Sequence, residues 1–419
     1  MKLAKKKTNR LEIVLYIVLL ALSGCLYILP TTVYINNKIV AIVSIIAFFI
    51  IKGNKIRAIK SKSRSFETII IWFLIIVIFE SIYSMIYHYQ NPANVLNICG
   101  GYFSLFIYFI FYGSKISKKK IQEIFVTFTK IILIIFFAQF LIFQFSGKIL
   151  FIDFNHRRMR AGFLRVGVGS TFVAISLTLL FAEVLNEYRK TKKLNYKNII
   201  WIGILLVYLV MYICTRALIL SVFISFVILS IWGTKNKKIK AIICLIGLVG
   251  TYYLLNSEVF SKYMMIDILE GGGSVNGRLQ MYSYYLDYFI KNPLFGEGFI
   301  YPSNSELTTL LYGYGGYYHL DDVGIVGYIF TFGIPGIVLM GLIISKAAKN
   351  IYYAHKDKSL YDNSEMLGIF VLFITTFPTL FFADYGRNGY LGFVLLFLTP
   401  EWLITTSKQF QKTKKSIKM

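Results

Sequence analysis

Apolar runs of membrane-crossing length, separated by short basic segments, constrain this chain more than any other feature. A helix needs about 17–25 predominantly apolar residues to cross the hydrocarbon core of a bilayer. Runs of that kind lie near residues 11–30, 33–51, 67–88, 94–113, 123–145, 167–187, 199–213, 217–232, 241–256, 323–344, 366–382 and 388–405. A soluble fold could not hide them, since 57% of the 419 residues are hydrophobic and 16% are charged. The expected fold class is therefore an all-α polytopic membrane protein with about twelve transmembrane helices. It forms a single transmembrane domain over 1–419.

The formal net charge of +25 first suggests nucleic acid. The basic residues, however, fall in short runs between apolar stretches, the pattern of loops facing anionic lipid, and this excludes nucleic acid as a partner. With both termini in the cytoplasm, the inner segments hold 33 of the 45 Lys and Arg residues, as the positive-inside rule requires. The inner set comprises 29 Lys and 4 Arg, the outer set 4 Lys and 7 Arg. Charge bias alone makes no such distinction between the two side chains, so the outer face is enriched in guanidinium specifically. LSGC at Cys25 looks like a lipoprotein cleavage site, but the apolar LYILP that follows favours an uncleaved first span. The four cysteines show no CxxC and no His pairing, so neither a disulfide framework nor a zinc site is expected.

Four outer arginines sit in DFNHRRMRAGFLR: Arg157, Arg158, Arg160 and Arg165. Arg216 lies in CTRA, a hairpin too tight to lift its side chain far from the membrane, where a charge is costly and marks function. Arg278 and Arg387 complete the set. A planar guanidinium binds phosphate bidentately, stays charged at any working pH and gives up its hydration readily. The competing reading pairs these arginines with carboxylates such as Glu270 and Asp384, or with anionic headgroups.

The largest outer segment, 257–322, is long enough to carry structure. An amphipathic helix is predicted from about Ser274, with Leu279, Tyr282, Leu286, Phe289 and Ile290 at helical spacing and Asn292-Pro293 ending it. Such a helix lies on the membrane surface or caps the bundle. Arg278 falls in its first turn, where the helix dipole opposes a cation and a bound anion would relieve the conflict. Further along, His319, Asp321 and Asp322 reach the mouth of the tenth span, each a candidate general base. Two adjacent carboxylates are a weak metal signal, and no metal or cofactor is expected. Tyr312, Tyr314, Tyr317 and Tyr318 offer rings on which sugars can stack. Glu80 and Lys130 lie inside spans as candidates for buried partners or cavity lining, and the glycines of CGGYFS suggest close helix packing.

Several of these stretches together resemble the Wzy-type polysaccharide polymerases and O-antigen ligases. RMRAGFL is similar to the family's outer Arg-x-x-Gly motif, and CTRALILSVF to its Ser-Arg motif at a span start. GSVNGRLQMYSYYLDYFIKNPLFGEGF resembles the segment that ends in Pro-Leu-Phe-Gly-x-Gly, and DDVGIVGYIFTFGIPG resembles the polymerase form of the next motif. The ligases' His-Asn pair is replaced here by His319-Leu320-Asp321-Asp322, which moves the reading from ligase toward polymerase. Gly167-Val168-Gly169-Ser170 stands where the family often has Pro-Asn, so the arginine matching the first motif stays open among Arg157, Arg158 and Arg160.

The resemblance implies a GT-C-like glycosyltransferase of the bacterial cytoplasmic membrane that polymerises polyprenyl-pyrophosphate-linked oligosaccharide repeat units on the outer face. It also implies a chain-length regulator and a flippase as associated proteins. In that reading Arg157, Arg158, Arg160, Arg216, Arg278 and Arg387 bind pyrophosphate, and His319, Asp321 or Asp322 accepts the acceptor's proton. A ligase that transfers a finished glycan is the nearest alternative. A flippase would instead line a central cavity with cations, and Lys130 is the one clear mid-span cation.

Overall fold

The computed structural model describes residues 12–20, 33–52, 66–111, 118–148, 159–160, 163–164, 169–213, 215–232, 275–356, 364–378 and 393–398, with three isolated residues between 238 and 245. The described residues are overwhelmingly helical. Helix α1 (12–20) is followed by α2 (Val33–Lys52), α3 (Glu67–Tyr87) and α4 (Pro92–Cys99). The α4 path continues through a 3-10 segment, Gly100–Leu105, into α5 (Phe106–Phe111). Next come α6 (Lys118–Ser146), the two-residue strands β1 (Met159–Arg160) and β2 (Phe163–Leu164), α7 (Ser170–Thr191) and α8 (Tyr196–Tyr208). A π-turn, Leu209–Ile213, leads to α9 (Arg216–Trp232). The remainder comprises α10 (Val275–Lys291), α11 (Ser305–Tyr312), a 3-10 turn at Leu320–Asp322, α12 (Ile325–Lys356), α13 (Ser364–Thr375) and α14 (393–398).

Among the described residues five helical stretches are long and apolar enough to cross a membrane: Glu67–Tyr87, Pro92–Ile110, Lys119–Ser146, Ser170–Thr191 and Ile325–Tyr353. Shorter apolar helices, Ala41–Ile50, Tyr196–Tyr208, Ala217–Trp232 and Ser364–Thr375, fall on four further expected spans. The expected run at 241–256 lies almost wholly outside the described residues, as do most of 11–30 and 388–405. Helix α12 departs from the expected end near 344, because SKAAKNIYYAHK continues without a breaker to Lys356.

Helix α3 shows why these helices suit lipid. Ile70, Phe73, Val77, Glu80 and Ser84 recur at three- and four-residue spacing and are buried. Trp72, Ile75, Phe79, Ile82 and Ile86 recur at the same spacing on the other face and are exposed. A helix apolar on both faces has one for the bundle and one for the bilayer. Helix α7 lies centrally, packed on α6, α8, α9 and α13. Its polar residues face protein: Ser176 donates to Thr129 on α6 at 2.8 Å, and the Asn186 side chain accepts from Ser364 on α13, also at 2.8 Å. Lys130, the expected mid-span cation, is half-buried with its ammonium 4.7 Å from the centre of the Trp201 ring. Glu80 is fully buried, and neither carboxyl oxygen has a hydrogen-bond partner among the described residues. The glycines of CGGYFS are buried in the 3-10 segment against α2, in keeping with a packing role.

Candidate functional site

Helix α10 forms where the amphipathic pattern places it, from Val275 to Lys291, and Asn292-Pro293 ends it. The pattern did not say which of its faces turns inward. Met281 and Tyr285 are buried, whereas Leu279 and Ile290 are exposed. The buried face packs into a separate small core with Leu307, Leu310 and Leu311 of α11, Ile300, Leu320, Val323 and Phe330. Tyrosine can serve as core here because its hydroxyl finds a partner: Tyr285 donates to the Leu311 carbonyl and Tyr284 to that of Thr309, each at 2.7 Å. Burial pushes the Tyr284 hydroxyl's pKa up. Leu279 and Ile290, with half-buried Leu286, leave an apolar stripe on the opposite face.

The segment after α10, NPLFGEGF, is wedged between α3 and a break in α12. Gly333 of α12 has φ 56° and ψ −149°, outside helical geometry. The break exposes backbone groups that the wedge satisfies: Glu297 N–H donates to Phe330 O at 2.7 Å, Gly298 N–H to Thr331 O at 3.0 Å, and Ile334 N–H to Pro293 O at 2.9 Å. Gly296 has φ 65°, and a Cβ there would fall 2.4 Å from Phe330 O and 2.9 Å from Gly333 N. Only glycine combines that left-handed backbone with so close an approach. This is the physical content of the glycine pair at the end of the motif.

The other side of the wedge is held by the end of α3 and the four residues after it. The Gln90 side chain donates to Phe299 O at 2.8 Å and accepts from Tyr301 N–H at 2.7 Å. Ser84 accepts from Phe299 N–H at 2.6 Å, and Asn292 donates to the Tyr83 hydroxyl at 2.7 Å. His88 Nε2 lies 2.9 Å from the Glu297 carbonyl and 3.5 Å from its carboxylate. A carbonyl only accepts, so Nε2 carries the hydrogen. His88, Gln90 and Glu297 drew no attention in the sequence. The usable signal was the glycine spacing around Glu297, which called for a partner surface without saying which.

The wedge and α11 fix where the expected site residues stand. Arg278 is half-buried in the first turn of α10, and no described carboxylate lies within ion-pair distance of it. Its expected competitor, Glu270, lies outside the described residues. The turn following Arg278 makes two contacts: Met281 Sδ accepts from His319 N–H at 3.5 Å, and the Tyr282 hydroxyl donates to the Pro378 carbonyl. Burial raises the Tyr282 hydroxyl's pKa, and the Arg278 charge opposes that. His319 is exposed, its ring centre 6.0 Å from that of Tyr312, and it precedes the 3-10 turn in which Asp322 N–H donates to His319 O at 3.0 Å. Asp322 is half-buried; the side chain of Asp321 lies outside the described ones. Ile325 N–H, opening α12, donates to Phe377 O at 2.8 Å. Arg278, His319 and residues 377–378 thus gather at one end of α10.

A second cluster forms around Arg216. The backbones of β1 and β2 pair antiparallel, Arg160 opposite Phe163, a hairpin the sequence reading did not anticipate. Strand β2 lies beside the π-turn that leads, through Thr215, to Arg216 as the first residue of α9. The Arg160 and Arg216 side chains lie outside the described ones, and Arg157, Arg158 and Arg387 outside the described residues altogether. Arg216 and Arg278 share one anomaly: each is a cation in the first turn of a helix, where the dipole disfavours it and where an anion is welcome. Among the described residues no group of three or more His, Cys, Asp or Glu is placed to hold a metal.

A family model described as O-antigen ligase matches residues 201–341, a third of the chain. That match supports the O-antigen polymerase and ligase family at the level the two share. The matched segment runs from α8 into α12 and contains Arg216, Arg278, the wedge, His319, Asp321 and Asp322. No curated protein matches the chain.

Proposed function

We propose that the protein is an integral-membrane glycosyltransferase that joins polyprenyl-pyrophosphate-linked oligosaccharide repeat units at the outer face of the bacterial cytoplasmic membrane. The observation that carries the reading is the content of the matched segment. It holds two arginines at helix starts and an exposed histidine, with Arg278 and His319 at one end of the same helix. The charge bias of the connecting segments assigns the end of α3, the 159–164 hairpin, the start of α9 and the 275–324 segment to the outer face. The contacts between these segments are consistent with that assignment. The exposed Leu279–Ile290 stripe then meets lipid, and α10 lies along the membrane surface beside the carrier's headgroup.

In the reaction, a hydroxyl oxygen of the acceptor sugar attacks the anomeric carbon of the donor glycan. The bond from that carbon to the pyrophosphate oxygen breaks, and the pyrophosphate leaves with the polyprenyl chain. His319, being exposed and uncommitted to a buried bond, takes the hydroxyl proton; Asp322 and Asp321 are the alternatives in the same turn. The leaving pyrophosphate gains negative charge as the bond breaks. Arginines fixed around it, Arg216 and Arg278 first and Arg157, Arg158, Arg160 and Arg387 as further members, stabilise the transition state more than the ground state. A resident metal or cofactor has no part in this reading.

The ligase reading is favoured by the description of the matched family model. Product size separates the two. Purified protein given lipid-linked repeat units, with chelator present, should yield a ladder of glycan multiples. Single transfers onto an added acceptor would establish the ligase, and unchanged single units with either substrate would overturn both.

A further inference from the structure

The four tyrosines of LLYGYGGYYHL fall into two classes. Tyr312 and Tyr318 are packed: Tyr312 beside His319, and Tyr318 with its ring centre 5.0 Å from that of Tyr284. Tyr314 and Tyr317 are 91% and 82% exposed. They project from an ordered turn closed by Gly313 N–H to Thr309 O at 2.7 Å, Gly316 N–H to Gly313 O at 3.1 Å and Tyr318 N–H to Tyr312 O at 2.9 Å. Two of the rings lie against glycine backbone. A Cβ at Gly313 would fall 2.5 Å from the Tyr318 ring, and one at Gly315 would fall 2.9 Å from the Tyr317 ring. One edge of the Tyr317 ring therefore lies at Gly315, and the ring is otherwise open to solvent.

We propose that the turn Gly313–Tyr318 is a saccharide-binding subsite that seats the acceptor glycan beside His319. The inference rests on the glycosyltransferase reading, which it deepens by assigning the acceptor its place. A pyranose has an apolar face of C–H bonds and a rim of hydroxyls, and a tyrosine offers the matching flat ring with a hydroxyl at its tip. From Leu307 to Leu320 the chain carries no Lys, Arg, Asp or Glu, so the surface suits a neutral polyol. A turn anchored on anionic headgroups would carry basic residues beside its aromatics. The Gly315 contact holds one ring in place before ligand arrives, lowering the ordering cost of binding. Tyr317 lies two residues from His319, close enough for one sugar on the turn to direct a hydroxyl toward the imidazole.

The test uses the full-length protein in detergent and, as probe, the free repeat-unit oligosaccharide released by mild acid from the host's lipid-linked intermediate. That probe lacks pyrophosphate and cannot act as donor. Its dissociation constant, read by saturation-transfer NMR, should rise about ten-fold in Tyr317→Ala and in Tyr314→Ala. Gly315→Ala, which displaces the ring without removing it, should behave like Tyr317→Ala. Tyr317→Phe should keep most of the affinity, and Gly341→Ala should leave it unchanged. Equal binding by wild type and Tyr317→Ala, or no binding by wild type, overturns the proposal. So does a Tyr317→Trp protein whose added fluorescence in vesicles is quenched by chain-brominated lipid and is indifferent to oligosaccharide, which would make the turn a membrane anchor. Polymer formed by a wild type that fails the saccharide test would refute the subsite alone. Saccharide binding without any transfer would refute the glycosyltransferase reading alone.

Discussion

Replacing Gly296 by alanine tests whether the wedge between α3 and α12 holds the site together. At φ 65° an alanine costs about 1–2 kcal/mol for its left-handed backbone. Its Cβ would also lie 2.4 Å from Phe330 O and 2.9 Å from Gly333 N, and both are main-chain atoms that cannot swing aside. Relieving such overpacking costs about 1–3 kcal/mol more. Together, about 2–5 kcal/mol is removed from the docking of 292–301, so its closed state should open roughly 30-fold to a few thousand-fold more often. Hydrogen exchange of the peptide covering Asn292–Tyr301, followed by mass spectrometry in detergent, reads this directly through the Glu297 and Gly298 amides. Glycan transfer should fall in parallel, because α10 and Arg278 are positioned through the wedge. Gly341→Ala is the control: it is a helical glycine with nothing within 4 Å of its Cβ position, and alanine there should be neutral or stabilising by up to about 1 kcal/mol. Unchanged exchange across 292–301 in Gly296→Ala would refute the close-packing argument. Faster exchange with undiminished transfer would refute the link from wedge to site.

Other outcomes follow from the same geometry. Gln90→Ala leaves the Phe299 carbonyl and the Tyr301 amide without their partners at about 1–3 kcal/mol each, which thermal unfolding in detergent should register; Gln90→Glu, keeping only the acceptor, should not restore the loss. Arg278→Ala should lower transfer by about 10²–10³-fold with little change in unfolding temperature, and Arg278→Lys should recover only part because it lacks the planar fork. Arg216→Ala should behave alike, and normal polymer length in either would remove that residue from the site. His319→Ala should cost about 10²–10⁴-fold in rate, while the fold, which does not bury that ring, is retained. Should Asp322→Asn carry that loss while His319→Ala transfers normally, the base is the carboxylate.

The helices and their kinds of partner were legible in the sequence because both are local properties. Apolar runs such as 67–88 and 123–145 form helices since the bilayer leaves the backbone no other partner, and α3 and α6 follow those runs closely. The start and stop of α10 were equally readable from Ser274 and from Asn292-Pro293. Which side of a helix faces protein was not. Lipid chains and protein core are equally apolar, so the pattern that separates inside from outside in a soluble protein carries little information here. Hence the stripe of Leu279 and Ile290 left open whether α10 lies on the membrane or caps the bundle; in the structure those two are exposed, while Met281 and Tyr285 are buried. The tertiary structure also decided the long-range polar contacts. His88 and Gln90 meet Glu297, Phe299 and Tyr301 across more than two hundred positions, and a chain shows no such pairing until the break at Gly333 opens the groove that receives the wedge. Composition made Tyr314 and Tyr317 equivalent to Tyr312 and Tyr318; only the turn, by setting Tyr312 beside His319 and Tyr318 against Tyr284 and leaving Tyr314 and Tyr317 open to solvent, made them different.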